Sequence, residues 1–379
     1  MNNNINLFFE LIQVSLGTRI CLSHTPTADE WCELYSMAKK HSLVGVCFAG
    51  VQRLQVQHQI PSEMQYLTWL GMAAKIQQRN EAVNKQCAEL TSKFRKDGFD
   101  AVVLKGQSCA RRYGALSGLR QSGDIDVWVS GSRDEIKNYI TKNYHVGEVI
   151  YNHAHVGVFQ DTEVEVHFTP SWLYNPFRNR RLQEWFKEFL LRQAQQSERF
   201  RFQGKDMDST DSPCSFKSPS VEFDLVYLML HAYRHMLHEG LGLRQVMDYY
   251  MMLCTDSHST SLGELQCSRY QAFVVLKQLG VMKFASAMMY VMKVVFDLDE
   301  SDMICVVDER RGKRLLEEIM RGGNMGRGDD RTGKSKTRVG YFWVHVSRQW
   351  SFMRDYPSEV LWSPMWKAWH FMMRKIGKI

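Results

Sequence analysis

Two aspartates separated by one apolar residue stand in the run Ser122-Gly123-Asp124-Ile125-Asp126-Val127-Trp128-Val129. On a β-strand, where side chains alternate faces, Asp124 and Asp126 point the same way and together can hold a divalent cation. Such a site needs a third acid. The run Glu163-Val164-Glu165-Val166-His167 supplies two on one strand face, Glu165 preferred and Glu163 second, with His167 beside them. Upstream, Ala101-Val102-Val103-Leu104 reads as a buried strand ending in Lys105-Gly106-Gln107-Ser108, a turn with a cation and small residues that suits a polyphosphate. Three carboxylates and a cationic turn are what metal-assisted nucleotidyl transfer requires, because two ions about 3.5–4 Å apart clamp the attacking and leaving oxygens.

The elements that must hold these residues follow from hydrophobic period. Residues 7–72 read as helical, with apolar stripes at Leu7, Phe8, Leu11, Ile12 and Val14 and again from Trp31 to Val46 after the start signal Thr25-Pro26-Thr27-Ala28-Asp29. A long helix over 73–97 buries Ile76, Asn80, Val83, Cys87, Leu90 and Phe94 and stops at Asp97-Gly98. The pattern then shortens: strand 101–104, a possible helix 108–115, strand 124–129, a helix Arg133 to Asn143 capped by Ser132, and strands near 145–159 and 163–168. Residues 203–220 are polar and turn-rich and mark a boundary. Beyond them 220–254, 268–296 and 308–320 are helical, and an aromatic-rich helical end is interrupted at Pro357 and Pro364. The expected architecture is α+β: a small mixed sheet in a core over 73–205, flanked by an N-terminal helical segment (1–72) and a C-terminal helical domain (206–379).

With 379 residues, 44% of them hydrophobic, there is ample material for packed cores. Nine cysteines without a Cys-x-x-Cys pair read as reduced thiols. The N-terminal run has no signal-peptide pattern and no apolar stretch reaches spanning length, so a cytoplasmic protein without a transmembrane segment is expected. Residues 301–379 carry 16 Lys/Arg against 9 Asp/Glu, which accounts for the whole net charge of +7. A basic third attracts anions, but in the core domain the basic residues are not interleaved with exposed aromatics as a stacking platform would be, which argues against nucleic acid.

The order Val103-Leu104-Lys105-Gly106, Tyr113, Arg120, Gly123-Asp124-Ile125-Asp126, Glu165-Val166-His167, then His231-Ala232-Tyr233-Arg234-His235 and Leu243-Arg244-Gln245-Val246-Met247-Asp248 resembles the uncharacterised nucleotidyltransferase family of the DNA polymerase β-like superfamily. The resemblance implies an enzyme that uses Mg²⁺ or Mn²⁺ and a nucleoside triphosphate, ATP being the expected one, to place a nucleoside monophosphate on a hydroxyl or similar acceptor. The acceptor can be a small molecule, a peptide or a protein. It implies Asp124, Asp126 and Glu165 as metal ligands and catalytic carboxylates, with Lys105, Gly106, Ser108, Arg120, Ser122 and Gly123 at the nucleotide. The small-residue turn departs from the superfamily's usual Gly-Gly or Gly-Ser, and Lys105 stands in for a second backbone donor.

Other signals compete. His231, His235 and His238 share one helix face at metal-ligand spacing, but no Glu follows His231 in zincin order. With His167, Arg244 and Asp248, the first two histidines either line the cleft opposite the carboxylates or form an interdomain hydrogen-bond network. Gly328 to Ser335 fits the phosphate-loop pattern G-x-x-x-x-G-K-[ST], yet no buried strand feeds it, and it lies in a basic, glycine-rich loop over 321–338. The tryptophans at 362, 366 and 369 read as a packed stripe. The reading that competes with the enzyme is a non-catalytic module of the same fold, acting through its basic C-terminal third.

Overall fold

The computed structural model describes residues 3–202, 215–254, 262–324 and 347–376. Its organising element is the 34-residue helix α4 (Glu63–Lys96), whose two halves serve different cores. Trp69, Ala73 and Ile76 join a large helical core, while Val83, Cys87, Leu90 and Phe94 join a smaller core under the sheet. Gly98, at φ +91°, ends the helix in a conformation that favours glycine and turns the chain directly into the first strand.

The sheet has five strands, β1 (Ala101–Leu104), β2 (Ile125–Val129), β3 (His145–Val149), β4 (His153–Gly157) and β5 (Val164–His167), in the order β1-β2-β5-β4-β3. Only β2 and β5 are parallel, and every other pair is antiparallel. The segment expected as one strand over 145–159 is a hairpin of two. A five-residue helix, α5 (Gly106–Ala110), and a 3-10 stretch over Arg111–Leu119 occupy the place of the helix expected at 108–115. Helix α6 (Arg133–Asn143) carries the expected Ser132 cap, closed by Glu135 in a capping box.

Alternation then sorts the sheet's two faces. Ala101, Val103, Ile125, Val127, Ala154, Val156, Val164 and Val166 pack with α4 and α6. Asp126, Trp128, His153, Glu165 and His167 fall on the opposite face by period. Trp128 stacks on Phe223 of helix α8 (Val221–Leu237), with ring centroids 5.5 Å apart. The carboxylates therefore sit between sheet and helix rather than on a solvated edge.

The remaining helices are α1 (Asn3–Leu16), α2 (Ala28–Lys40) and α3 (Val44–Arg53) before the sheet, and α7 (Pro176–Phe202), α9 (Leu243–Cys254), α10 (Leu262–Gln278), α11 (Met282–Phe296), α12 (Glu309–Gly322) and α13 (Pro357–Lys375) after it. Thr27 caps α2 with a capping box, as its start signal predicts. The N-terminal helices and the helices after the sheet share one continuous core, and the boundary drawn at 72/73 falls inside α4. Most of the linker at 203–220, the phosphate-loop-like run at 328–335 and most of the basic loop lie outside the described residues. Pro357 opens α13 at a first-turn position and Pro364 lies within it. Every cysteine among the described residues is a free thiol, and no described helix is long and apolar enough to cross a membrane.

Candidate active site

Strand pairing brings the charges together. Asp126 of β2 lies opposite Glu165 of β5, and Trp128 opposite His167; on the other side of β5, His153 pairs with His167 and His155 with Glu165. Lys105 follows β1, whose Leu104 is the register partner of Asp126. Its backbone is held at φ +37°, ψ −148°, and Gly106 follows at φ +46°. A non-glycine residue there is strained by about 1–3 kcal/mol. The bend delivers Lys105 Nζ to within 2.9 Å of Asp126 Oδ1 and 3.9 Å of Asp124 Oδ2.

His167 Nε2 reaches the same Asp126 oxygen at 2.9 Å and stands 3.4 Å from Glu165 Oε2. Burial opposes the charge on Lys105, but Asp126, Asp124 and Glu165 together hold its pKa well above the ordinary lysine value. Burial likewise disfavours an ionised Glu165, yet the hydrogen bond from His167 and the charge of Lys105 prevail and lower it to about 2. For His167, burial is outweighed by Asp126 and Glu165, and its pKa is raised. Burial and the neighbouring His167 push His153 down to about 2, so its ring stays neutral.

Asp126 is 1% exposed, and its second oxygen, Oδ2, is buried without a hydrogen-bond partner. Ligand atoms of Asp124, Asp126 and Glu165 all lie within 4.8 Å of one another. An orphaned carboxylate oxygen inside a convergent trio of acids fits a divalent ion, which would repair the missing contact. Glu163 is exposed and contributes its carbonyl to Ile125 N–H at 2.9 Å. Glu165 is therefore the third acid that geometry places at the pair. A second convergent set, His153, Glu165 and His167, shares that glutamate.

Two recesses meet at Lys105 and Asp124. The smaller, about 50 Å³, is bounded by Gly106, Arg120, Gly123, Arg244 and Asp248. The larger, about 310 Å³, is bounded by Asn152, His153, Glu165, His167, Trp172, Arg234 and, from α13, Trp366 and His370. His231 and His235 of α8 border both. Their Nε2 atoms are 3.0 Å apart, and His235 Nδ1 faces Glu239 at 3.1 Å. Neither belongs to a convergent metal-ligand set among the described residues. His238 ends the helix beside Tyr174, its ring centroid 5.5 Å away.

Arg120, expected at the nucleotide, has a different engagement. Its Nε and Nη2 donate to the two oxygens of Asp248 at 2.6 and 2.7 Å, and Tyr113 Oη donates to Oδ1 at 2.7 Å. Asn80 Nδ2 holds the carbonyls of Gly118 and Arg120, and Arg244 holds that of Gln121 at 2.8 Å. These residues fix the loop that leads into Asp124 while also bordering the small recess. The hydroxyls of Ser108 and Ser122 are buried and unpartnered.

Arg234 was not singled out as a site residue. Its guanidinium lies 3.0 Å from the centroid of the Trp172 ring, with Nε buried and unpartnered. Burial lowers its pKa to about 9. Trp172 stacks in turn on Trp366, and Trp366 on His370. The expected packing of the C-terminal stripe is seen at Trp366, whereas Trp369, Phe371 and Met372 are exposed, as are Leu361 and Met365. His153 and Asn152 were also missed; the alternation His153-Ala154-His155 is the signal that could have placed a histidine beside Glu165.

Convergent acids on neighbouring strands, with a strained lysine turn between sheet and helix, fit a metal-dependent site. The model of a family described as uncharacterised nucleotidyltransferase matches residues 27–296, and the chain belongs to that family, which makes it a transferase of phosphorus-containing groups. No curated protein and no solved structure matches it.

Proposed function

We propose that the protein transfers a nucleoside monophosphate from a nucleoside triphosphate, ATP first among candidates, to a hydroxyl-type acceptor, with Mg²⁺ or Mn²⁺ held by Asp124, Asp126 and Glu165. The observation that carries this is the convergence of the three acids, with ligand atoms within 4.8 Å of one another, at an aspartate whose Oδ2 is buried and partnerless. Bound there, the metal supplies charge neutralisation at the phosphates and acidifies the attacking hydroxyl. A glutamate whose pKa is lowered to about 2 is a weak base and a willing ligand, so Glu165 serves as ligand rather than proton acceptor.

The small recess is assigned to the triphosphate. Gly106 and Gly123 leave part of its wall free of side chains and Lys105 adds a cation, while the uncommitted hydroxyls of Ser108 and Ser122 lie close to these glycines in sequence. Arg120, Arg244 and Asp248 hold the loop in register. The larger cavity, at the low end of small-molecule sites, is assigned to the acceptor. Arg234, with no carboxylate partner, would meet an anionic group there. The test is transfer of label from an α-³²P-nucleoside triphosphate with Mg²⁺ by wild type and by Asp124→Asn. Equal behaviour of the two proteins would end the carboxylate mechanism.

A further inference from the structure

We infer that His153, Glu165 and His167 form a second metal site, of transition-ion type, which shares Glu165 with the carboxylate trio. The case starts with the edges of the site. His167 Nε2 and His153 Nδ1 lie 3.4 and 3.5 Å from Glu165 Oε2. Hydrogen bonds between such atoms are shorter, with a mode of about 2.9 Å. A tetrahedral ion with bonds of about 2.0–2.1 Å has ligand-to-ligand edges of about 3.3–3.4 Å. Two of the three edges already stand at the separation that an ion would impose, and all three ligand atoms lie within 4.8 Å of one another.

Unused atoms point the same way. His153 is 9% exposed, and its Nδ1 is buried with no hydrogen-bond partner. Asn152 Nδ2 lies 3.4 Å from His167 Nδ1, while Asn152 Oδ1 is buried and unpartnered. The two ends of an amide are interchangeable in shape. Turned over, Asn152 accepts from His167 Nδ1–H and leaves the Nε2 lone pair free for a metal, the usual support of a ligating histidine. His167 can leave Asp126 without stranding it, because Lys105 Nζ is already 2.9 Å from the same oxygen.

Two imidazoles and one carboxylate select zinc, cobalt or a related ion over magnesium, which prefers oxygen. All three ligands border the larger cavity, so a fourth position opens toward it. Three protein ligands with one open position are the pattern of a catalytic rather than a structural zinc site. The site requires no nucleotide and stands or falls apart from the transfer reaction.

The test uses full-length protein stripped with a chelator and titrated with Co²⁺, read by visible absorption and by Zn²⁺ competition. Wild type and Asp124→Ala are expected to bind one Co²⁺ with strong visible bands that Zn²⁺ removes. His153→Ala, checked for folding by near-ultraviolet circular dichroism, should bind at least about 100-fold more weakly, and Asn152→Ala about 10–100-fold more weakly. The proposal is overturned if folded wild type binds neither ion, if His153→Ala and Asn152→Ala both bind like wild type, or if His231→Ala removes the bands instead. Magnesium-dependent turnover of the zinc-free protein, measured in parallel, separates failure of this site from failure of the transfer mechanism.

Discussion

Two buried aspartates, Asp248 and Asp126, each meet two positively charged or hydrogen-bonding neighbours, and they are completed differently. Asp248 receives Tyr113 and Arg120 on Oδ1 and Arg120 again on Oδ2, so its carboxylate is saturated by protein. Asp126 receives Lys105 and His167 on one oxygen and nothing on the other. Burial does not distinguish them, at 3% and 1% exposed. Completion does. A closed network fixes a loop; an open one keeps a place for something absent from the chain itself.

The contrast breaks first at the open cluster. Asp124→Asn should lower nucleotidyl transfer on the order of a thousand-fold or more, through loss of a charge that acts at the transferring phosphate. Its side chain is 37% exposed, so the thermal midpoint should move by only a few degrees. At the closed cluster the outcome inverts. Asp248→Asn strands Arg120 without a counter-ion and should cost about 3–5 kcal/mol in urea unfolding. Activity per folded molecule should fall less than in Asp124→Asn.

A third buried aspartate, Asp224 of α8, has its Oδ1 buried without a hydrogen-bond partner. Burial raises its pKa to about 8, against the pull of Arg112 and with the help of Asp248, so the folded chain keeps its proton where the unfolded chain has lost it. Stability must then decline as pH climbs from about 4 to about 8, since the native state binds the extra proton throughout that window. Asp224→Asn removes the titration. At pH 9 it should be more stable than wild type by several kcal/mol, and near pH 4 the two should coincide. Equal slopes of stability against pH in both proteins would refute the assignment.

Period and capping chemistry made much of the chain readable in advance. The stripe Ile76, Asn80, Val83, Cys87, Leu90 and Phe94 is the buried face of α4, and Ser132 and Thr27 cap the helices they precede. Alternation put Asp124 with Asp126 and Glu165 with His167 on one face of their own strands, and only the pairing of β2 with β5 shows that the two faces coincide. Strand order was not legible, because local pattern does not say which strands pair. The choice between Glu163 and Glu165 waited on that pairing, as did the arrival of His153 from β4. The tie between Arg120 and Asp248 was not legible because an arginine beside a glycine turn looks the same whether its partner is a phosphate or an aspartate 128 residues away. The continuity of α4 through residue 72 was hidden by its first half, whose apolar residues pack against the earlier helices α2 and α3 while the second half serves the sheet.

Arg234 provides the finest test of open against closed. Arg120 is buried with a carboxylate; Arg234 lies on Trp172 with no carboxylate in ion-pair contact among the described residues and its Nε unsatisfied. A guanidinium held this way costs stability unless an anion arrives. Arg234→Met keeps the length and the contact with Trp172 while removing the charge. It should stabilise the ligand-free protein by about 1 kcal/mol, seen as a higher thermal midpoint, and at the same time reduce transfer to acceptor. If the midpoint falls and transfer is untouched, Arg234 belongs with Arg120 as a fixture of the fold, and the larger cavity loses its only assigned reason to prefer an anionic acceptor.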